Sequence, residues 1–357
     1  MSYYLCVDCG GSKTATAICD ASGQILGRAF GGPSNFAYLG PDNFIDVVGT
    51  TPLLPPPTSS PLFAAAWLGV SGVDSAAAIA RLTPPLAALL GVVPIVCNDT
   101  HLLAAPLRMH PDVSAAIGCV SGTGGIVVSF KEGEGAHLEE LGRVGGWGWI
   151  LGDEGGGFHV GREAVRQILF EADRASVMGP VPAPVSSKGG VGSLKARVLA
   201  RFGITDVFEL LTIVHWPDPV PDAEVKDDAP AYTRIAREKR LSSLAPLVFA
   251  AAFEDHDPLA IDVLRHTSRE LVDQICILLR PETGDAAAYP PRTVKASETI
   301  LCFGGSLVGV EAYRKMVLDE LEKRGHVFRR VEFVEDAAAT GAKALAAALQ
   351  PKVKLVV

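Results

Sequence analysis

Two eleven-residue stretches constrain this chain more than anything else in it. VDCGGSKTATA (7–17) and VSGTGGIVVSF (120–130) share one pattern, a short apolar run, a glycine turn and a second run of small and β-branched residues. Each reads as strand, turn, strand. A unit repeated in this way predicts two similar domains facing each other. The turns lead from strand to strand, whereas dinucleotide fingerprints and P-loops lead from strand into helix. Neither GxGxxG nor GxxxxGK[ST] occurs in the chain. A Rossmann or P-loop site is therefore excluded, although glycines beside a carboxylate still suit phosphate.

The rest of the chain fits an α/β plan. YYLCVD, TATAICD and QILGRAF read as three strands, followed by a loop, GGPSNFAYLG, and a helix from about 41 to 50. TPLLPPPTSSP reads as a surface connection. FAAAWLGV and VVPIVCND read as buried strands, with a helix over SAAAIARL between them and another starting at THLLAAPLR. Beyond residue 157 the pattern turns mostly helical, interrupted by loop-like PAPVSSKGGVGS and HWPDPVPDAEVKDDAP. IAREKRLSSLAPLVFAAAF reads as one helix, and so does PLAIDVLRHTSRELVDQICILL, with an apolar face at Leu264, Leu271, Ile275 and Leu278. ETILCFGGS is a strand and glycine turn before a long helix, and VEFVEDAAATGAKALAAALQ a strand before a helix of small residues.

Composition narrows the function. A chain of 357 residues that is 48% hydrophobic can bury a sizeable core, and its length suits two domains. A net charge of −8 argues against a general nucleic-acid binder. No apolar run reaches membrane-spanning length, and MSYYLCVDCG lacks the basic and apolar regions of a secretory leader. The seven cysteines lie mostly in apolar strands, the pattern of reduced thiols in a cytoplasmic protein. Cys6 and Cys9 form a CxxC with neither a helix start nor a second ligand pair, so two thiols in a strand and its turn is the simpler reading.

Five places carry candidate chemistry. Asp8 ends a strand ahead of Gly10, Gly11, Ser12 and Lys13; the glycines would let backbone N–H groups approach phosphate, and the carboxylate could hold hydrated Mg²⁺. Gly122, Thr123 and Gly124 offer the same amides and a hydroxyl. Asp99 ends another strand, where it could take a proton from a hydroxyl or simply cap the next helix. GGWGWILGDEGGG (145–157) has seven glycines in thirteen positions, with tryptophans suited to a sugar ring and carboxylates suited to its hydroxyls. CFGGSLVG (302–309) is a weaker strand-to-glycine turn.

In this order the motifs VDCGGSKT, GPSN, GVSGVD, CND, SGTGG, GGWGWILGDEGG, LCFGGS and ATGAKALA resemble the sugar kinase, actin and heat-shock ATPase superfamily. More narrowly they resemble the N-acetylglucosamine kinases and their relatives that activate benzoyl-CoA reductase. The resemblance covers nearly the whole chain. It implies two ribonuclease-H-like domains hinged around an active-site cleft, residues 1–108 and 109–339, with a C-terminal helix at about 340–357 packing back on the first. It implies ATP with Mg²⁺ between the glycine turns, Ser12 and Thr123 on phosphates, Asp8 near the metal, and Gly304, Gly305 and Ser306 beside the adenosine. Asp99 would be the general base. Asn35, Ser71, Gly146, Trp147 and Asp153 would hold an amino sugar. The implied reaction gives N-acetylglucosamine 6-phosphate and ADP; glucosamine or another amino sugar is the alternative substrate, and homodimers are common in the family. Departures from the pattern are Cys9 where glycine is frequent, Trp149 where some animal enzymes have histidine, and Gly156 in place of serine. Two competing expectations are a reductase-activating ATPase with an iron–sulfur cluster and a sugar sensor without chemistry. No cysteine interrupts the glycine run, and both Asp8 and Asp99 are present.

Overall fold

The computed structural model describes residues 2–11, 13–52, 62–179, 193–220 and 229–349. Ser12, most of TPLLPPPTSSP, nearly all of PAPVSSKGGVGS, the centre of HWPDPVPDAEVKDDAP and the chain beyond 349 lie outside the described residues.

Two five-stranded sheets repeat one topology. The first has the order β3-β2-β1-β4-β5, from β1 (Tyr3–Cys9), β2 (Thr14–Cys19), β3 (Ile25–Gly31), β4 (Phe63–Val70) and β5 (Ile95–Cys97). The second has the order β10-β9-β6-β7-β8, from β6 (Ala115–Ser121), β7 (Gly125–Glu132), β8 (Leu138–Gly145), β9 (Thr299–Gly304) and β10 (Arg330–Phe333). In each sheet an antiparallel meander of three strands carries two further strands parallel to its first. The two sequence repeats are the first hairpins of these two sheets, so the duplicated pattern did forecast a duplicated fold.

Central strands are near-continuous apolar runs because both of their faces are covered. All six residues of β9 are buried. The edge strand β3 instead alternates between exposed and half-buried positions. On the first sheet's outer face the helix Ala76–Leu90 buries Leu82, Leu86 and Leu90, one stripe at four-residue spacing. Burying each leucine contributes about 2 kcal/mol. Ser75 caps its first turn at 3.2 Å and Gly91 ends it at φ 68°.

Among the described residues, six α-helices fill the stretch between β8 and β9: Gly157–Met178, Leu194–Phe202, Glu209–His215, Arg237–Ser242, Ala245–Phe253 and Pro258–Ile277. The helix expected as continuous across IAREKRLSSLAPLVFAAAF is two helices. The break falls at Ser243 and Leu244, just before Pro246, whose ring excludes a continuous ladder. Strand β8 has no counterpart in the sequence reading. Its pattern LEELGRVG places Glu139 and Arg143 outward on an edge strand, which hides the apolar alternation.

The helix Ala337–Leu349 follows β10 of the second sheet yet lies on β1 and β2 of the first. Its small residues permit this approach: a Cβ on Gly341 would stand 2.5 Å from the Cys6 sulfur. A shared core of Trp67, Leu102, Leu103, Phe130, Ile300, Cys302 and the alanines of this helix joins the halves below the cleft. Cys6 belongs to that shared core and Cys9 to the first domain's outer core, so the CxxC cysteines face opposite sides of β1 and cannot form one metal or redox pair.

Candidate active site

Parallel strands deliver their C-terminal ends to one place, and loops at those ends build sites in α/β folds. Here β1, β4, β5, β6 and β9 all end at a single cleft of about 720 Å³.

The first turn closes when the Gly10 amide donates to the Lys13 carbonyl at 3.0 Å. The Gly10 carbonyl accepts from Ser34 at 2.9 Å, and Thr14 Oγ1 donates to Ser34 Oγ at 2.7 Å. The GPSN segment therefore buttresses the turn. Asp8 and Lys13 border the cleft. Burial comes first among the effects that push the Asp8 carboxyl from its ordinary 3.8 up to about 7; the negative charges of Asp99 and Asp336 add to it, and Lys13 opposes them.

The second turn is held by the glycine run. Gly157 and Phe158 amides donate to the Gly122 and Thr123 carbonyls at 2.7 and 3.1 Å, and Ser121 Oγ donates to the Gly155 carbonyl at 2.7 Å. Three backbones stack here with no room for side chains. A Cβ on Gly156 would fall 2.5 Å from the Gly124 carbonyl carbon, and one on Gly305 the same distance from the Ser121 oxygen. Asp153 sits at φ 60°, an unusual conformation for a residue with a side chain, and its carboxyl is pushed upward by burial. Behind it burial lowers the His159 ring to about 3, and its Nδ1 lies 3.0 Å from the Gly155 amide and 2.9 Å from Glu154 Oε2.

Asp99 stands where a helix cap would, at the head of Thr100–Leu103, but makes no capping hydrogen bond. Asn98 takes that role, its Oδ1 accepting from the Thr100 amide at 3.0 Å and from the Thr100 hydroxyl at 2.8 Å. The Asp99 carboxyl borders the cleft, as Ser71 does, and burial raises it above the ordinary carboxylate range against the lowering effect of Ser71 and the Thr100 backbone. Ser71 Oγ in turn accepts Asn35 Nδ2 at 3.0 Å, while Asn35 Oδ1 caps the helix Phe36–Gly49 at 2.9 Å.

Of the residues singled out from sequence, Asp8, Lys13, Ser71, Asp99, Gly122, Thr123, Gly124, Gly146, Asp153, Gly304 and Gly305 line this cleft. Asn35 stands one layer behind Ser71. Gly10 and Gly11 lie in the turn beyond the lining, and Ser12 is outside the described residues. Trp147 is 69% exposed at the rim, and Trp149 packs on Phe158 at 5.2 Å. Ser306 lines a second pocket of about 600 Å³. That pocket shares Gly122 and Thr123 with the cleft and is walled by Ala245, Pro246, Phe249, Phe253, Leu307 and Val310. One chamber is rich in carboxylates, the other is apolar, and the second glycine turn separates them.

Sequence reasoning passed over Asp74, Asn98, Arg143 and Asp336, which also line the cleft. Asn98 and Asp336 carried a signal in retrospect, since each precedes a helix that it caps; Asp336 accepts the Ala339 amide at 2.8 Å. Among the described residues no group of three His, Cys, Asp or Glu could hold a metal ion unaided. Mg²⁺ suits such a donor set, because it binds through one or two carboxylates and keeps substrate phosphates and water as its other ligands. Burial raises the Asp8 carboxyl first, and Asp99 and Asp336 add negative charge beside it that a cation would offset.

The two halves and the cleft define an actin-like ATPase fold. Within it the chain resembles N-acetylglucosamine kinases. No protein-family model matches it. Over 184 residues it is 30% identical to the N-acetylmuramic acid/N-acetylglucosamine kinase of Clostridium acetobutylicum, covering 49% of this chain and 56% of that one. Over 183 residues it is 27% identical to the N-acetyl-D-glucosamine kinase of Dictyostelium discoideum, covering 48% and 55%. The match thus spans about half the length of these curated relatives. Among solved structures, a candidate N-acetylglucosamine kinase from Porphyromonas gingivalis superposes with a TM-score of 0.60 at 18% identity, over 96% of this chain and 98% of that one. Another, from Chromobacterium violaceum, gives 0.56 at 20% identity, over 97% and 99%. At these identities the likeness is one of fold. No helix among the described residues is long and apolar enough to cross a membrane.

Proposed function

We propose that this chain is an ATP-dependent kinase that phosphorylates the 6-hydroxyl of N-acetyl-D-glucosamine, giving N-acetylglucosamine 6-phosphate and ADP. The observation that carries the reading is the Asp99 carboxyl, which makes no helix-capping hydrogen bond and borders, with Ser71, a cleft between two glycine turns. Phosphoryl transfer needs positioning and charge stabilisation more than covalent help. Asp99 takes the proton of the attacking hydroxyl, and burial, which raises its proton affinity, makes it a stronger base. Asn35 holds Ser71, which borders the same cleft as Asp99. Asp153 and the Gly146 backbone face the same space and hold the sugar. Amides of Thr123 and Gly124, in a turn closed by the Gly122 amide on the Gly124 carbonyl, and the Lys13 ammonium receive the phosphates. Asp8 would hold Mg²⁺, which when bound neutralises phosphate charge. The adenosine occupies the apolar pocket beyond Thr123, bordered by Phe249, Phe253 and Ser306. Closure of the two halves excludes water, which would otherwise accept the phosphoryl group.

The cysteines weigh against an iron–sulfur ATPase. Six of the seven are buried, and burial raises the thiol pKa of Cys6, Cys9, Cys97, Cys119 and Cys302, away from the thiolate that a cluster requires.

The test is ATP turnover with and without N-acetylglucosamine, assayed with sugar phosphate, on the wild type and on Asp99→Asn. Sugar-dependent ADP release matched by the 6-phosphate is expected, falling on the order of 10²–10⁴-fold in the variant. Turnover indifferent to amino sugars, in a protein that purifies with iron, would overturn the reading in favour of an activator-type ATPase.

A further inference from the structure

Among the described residues, an ion pair joins the two walls of the cleft. Asp74 lies on the loop after β4 in the first half, and Arg143 on β8 in the second. Arg143 Nη1 donates to Asp74 Oδ1 at 2.9 Å. Its other amino group, Nη2, donates to the Gly146 carbonyl at 3.3 Å, at the start of the glycine run that carries Asp153. The same Asp74 oxygen accepts Asn98 Nδ2 at 3.0 Å. Asn98 precedes Asp99 and fixes the helix start from which that carboxyl projects. A continuous hydrogen-bonded line therefore runs from the glycine loop through Arg143, Asp74 and Asn98 to Thr100, the residue that follows Asp99. Asp74, Asn98 and Arg143 all border the cleft.

A pair this exposed, 31% for Arg143 and 51% for Asp74, contributes little to folding stability. Its effect lies in what it joins. Nothing in either half's own packing requires Asp74 to meet Arg143. The contact exists only when the two walls stand at this separation, and it sets the glycine loop and the base at one spacing.

We infer that Asp74 and Arg143 are positioning residues, a clasp that holds the two halves at the separation at which Asp99 and the glycine loop address the same hydroxyl. The inference rests on the kinase reading for its effect on rate, but not for its effect on cleft opening.

The test is charge exchange. Asp74→Arg, Arg143→Asp and the double exchange are compared with the wild type by kcat and KM for N-acetylglucosamine, by thermal melting, and by small-angle X-ray scattering of the ligand-free protein. Each single reversal sets like charges face to face. It should lower kcat/KM roughly tenfold to a hundredfold, enlarge the radius of gyration and leave the melting point near that of the wild type. The double exchange, which restores an opposite pair, should recover most of both losses. A double variant no better than the singles would overturn the clasp. So would singles that leave rate and radius unchanged, or losses confined to sugars bearing a carboxylate, which would make Arg143 a reader of substrate charge. If the wild type phosphorylates no amino sugar, the kinase reading falls; the scattering comparison still decides the clasp.

Discussion

Replacing Asp8 with asparagine should strengthen the ligand-free protein at neutral pH while destroying its activity. The Asp8 carboxyl is pushed from 3.8 to about 7, first by burial and then by Asp99 and Asp336, against the pull of Lys13. Three units at about 1.36 kcal/mol each come to about 4 kcal/mol. Asp8 borders an open cleft where water screens part of this, so about 2 to 4 kcal/mol is the working range. The sign follows from proton binding. A carboxyl whose folded pKa lies above its unfolded one keeps its proton longer in the folded state. Its favourable contribution is complete below 3.8 and is lost as the pH rises through about 7. Urea unfolding of metal-free wild type and Asp8→Asn, at pH values from about 4 to about 8, should show the wild type losing that amount relative to the variant. The difference between the two cancels most of the shared titrations, including those of His101 and His159. Mg²⁺ with ATP should restore the wild type and leave the variant unaffected. Parallel pH profiles would refute the reasoning, for they would mean that Asp8 bears no unfavourable charge in the empty cleft.

Two further outcomes follow from packing. Gly156→Ala should cost about 1–3 kcal/mol, because the new methyl meets the Gly124 backbone at 2.5 Å. Gly156→Ser should cost about 1 kcal/mol less than alanine, since a serine hydroxyl can cap Gly157–Met178, whose first turn lacks a side-chain cap; denaturant unfolding that ranks the two variants alike would contradict this. Ala250→Trp, which fills the apolar pocket, should raise the KM for ATP roughly tenfold and leave the sugar KM in place, a split that initial-rate kinetics resolves directly. Equal effects on both would take the nucleotide out of that pocket.

What the sequence discloses and what it withholds divide along physical lines. The glycine turns at 10–13 and 122–124 were legible because a strand–turn–strand unit is local: its apolar alternation and its glycines sit within eleven residues. That two similar domains face each other followed from the repetition, and the cleft between them from the family resemblance. Asp99 was ambiguous, because aspartate before a helix serves as cap or base with equal ease. In the fold its neighbour Asn98 takes the Thr100 amide, and Asp99 makes no capping hydrogen bond and borders the cleft. Strand β8 escaped notice because an edge strand with Glu139 and Arg143 outward has no clean alternation. Arg143 escaped with it, and for a deeper reason. Its partner Asp74 lies 69 residues earlier, in the other half of the molecule. No spacing rule for a helix or a strand reaches that far. A cross-cleft pair exists only once both halves have folded and come together, so residues that set the spacing of the halves are those a linear reading is least able to find. Such residues are found by asking which polar contacts join elements that have no packing reason to meet, and in this cleft that question leads to Asp74 and Arg143.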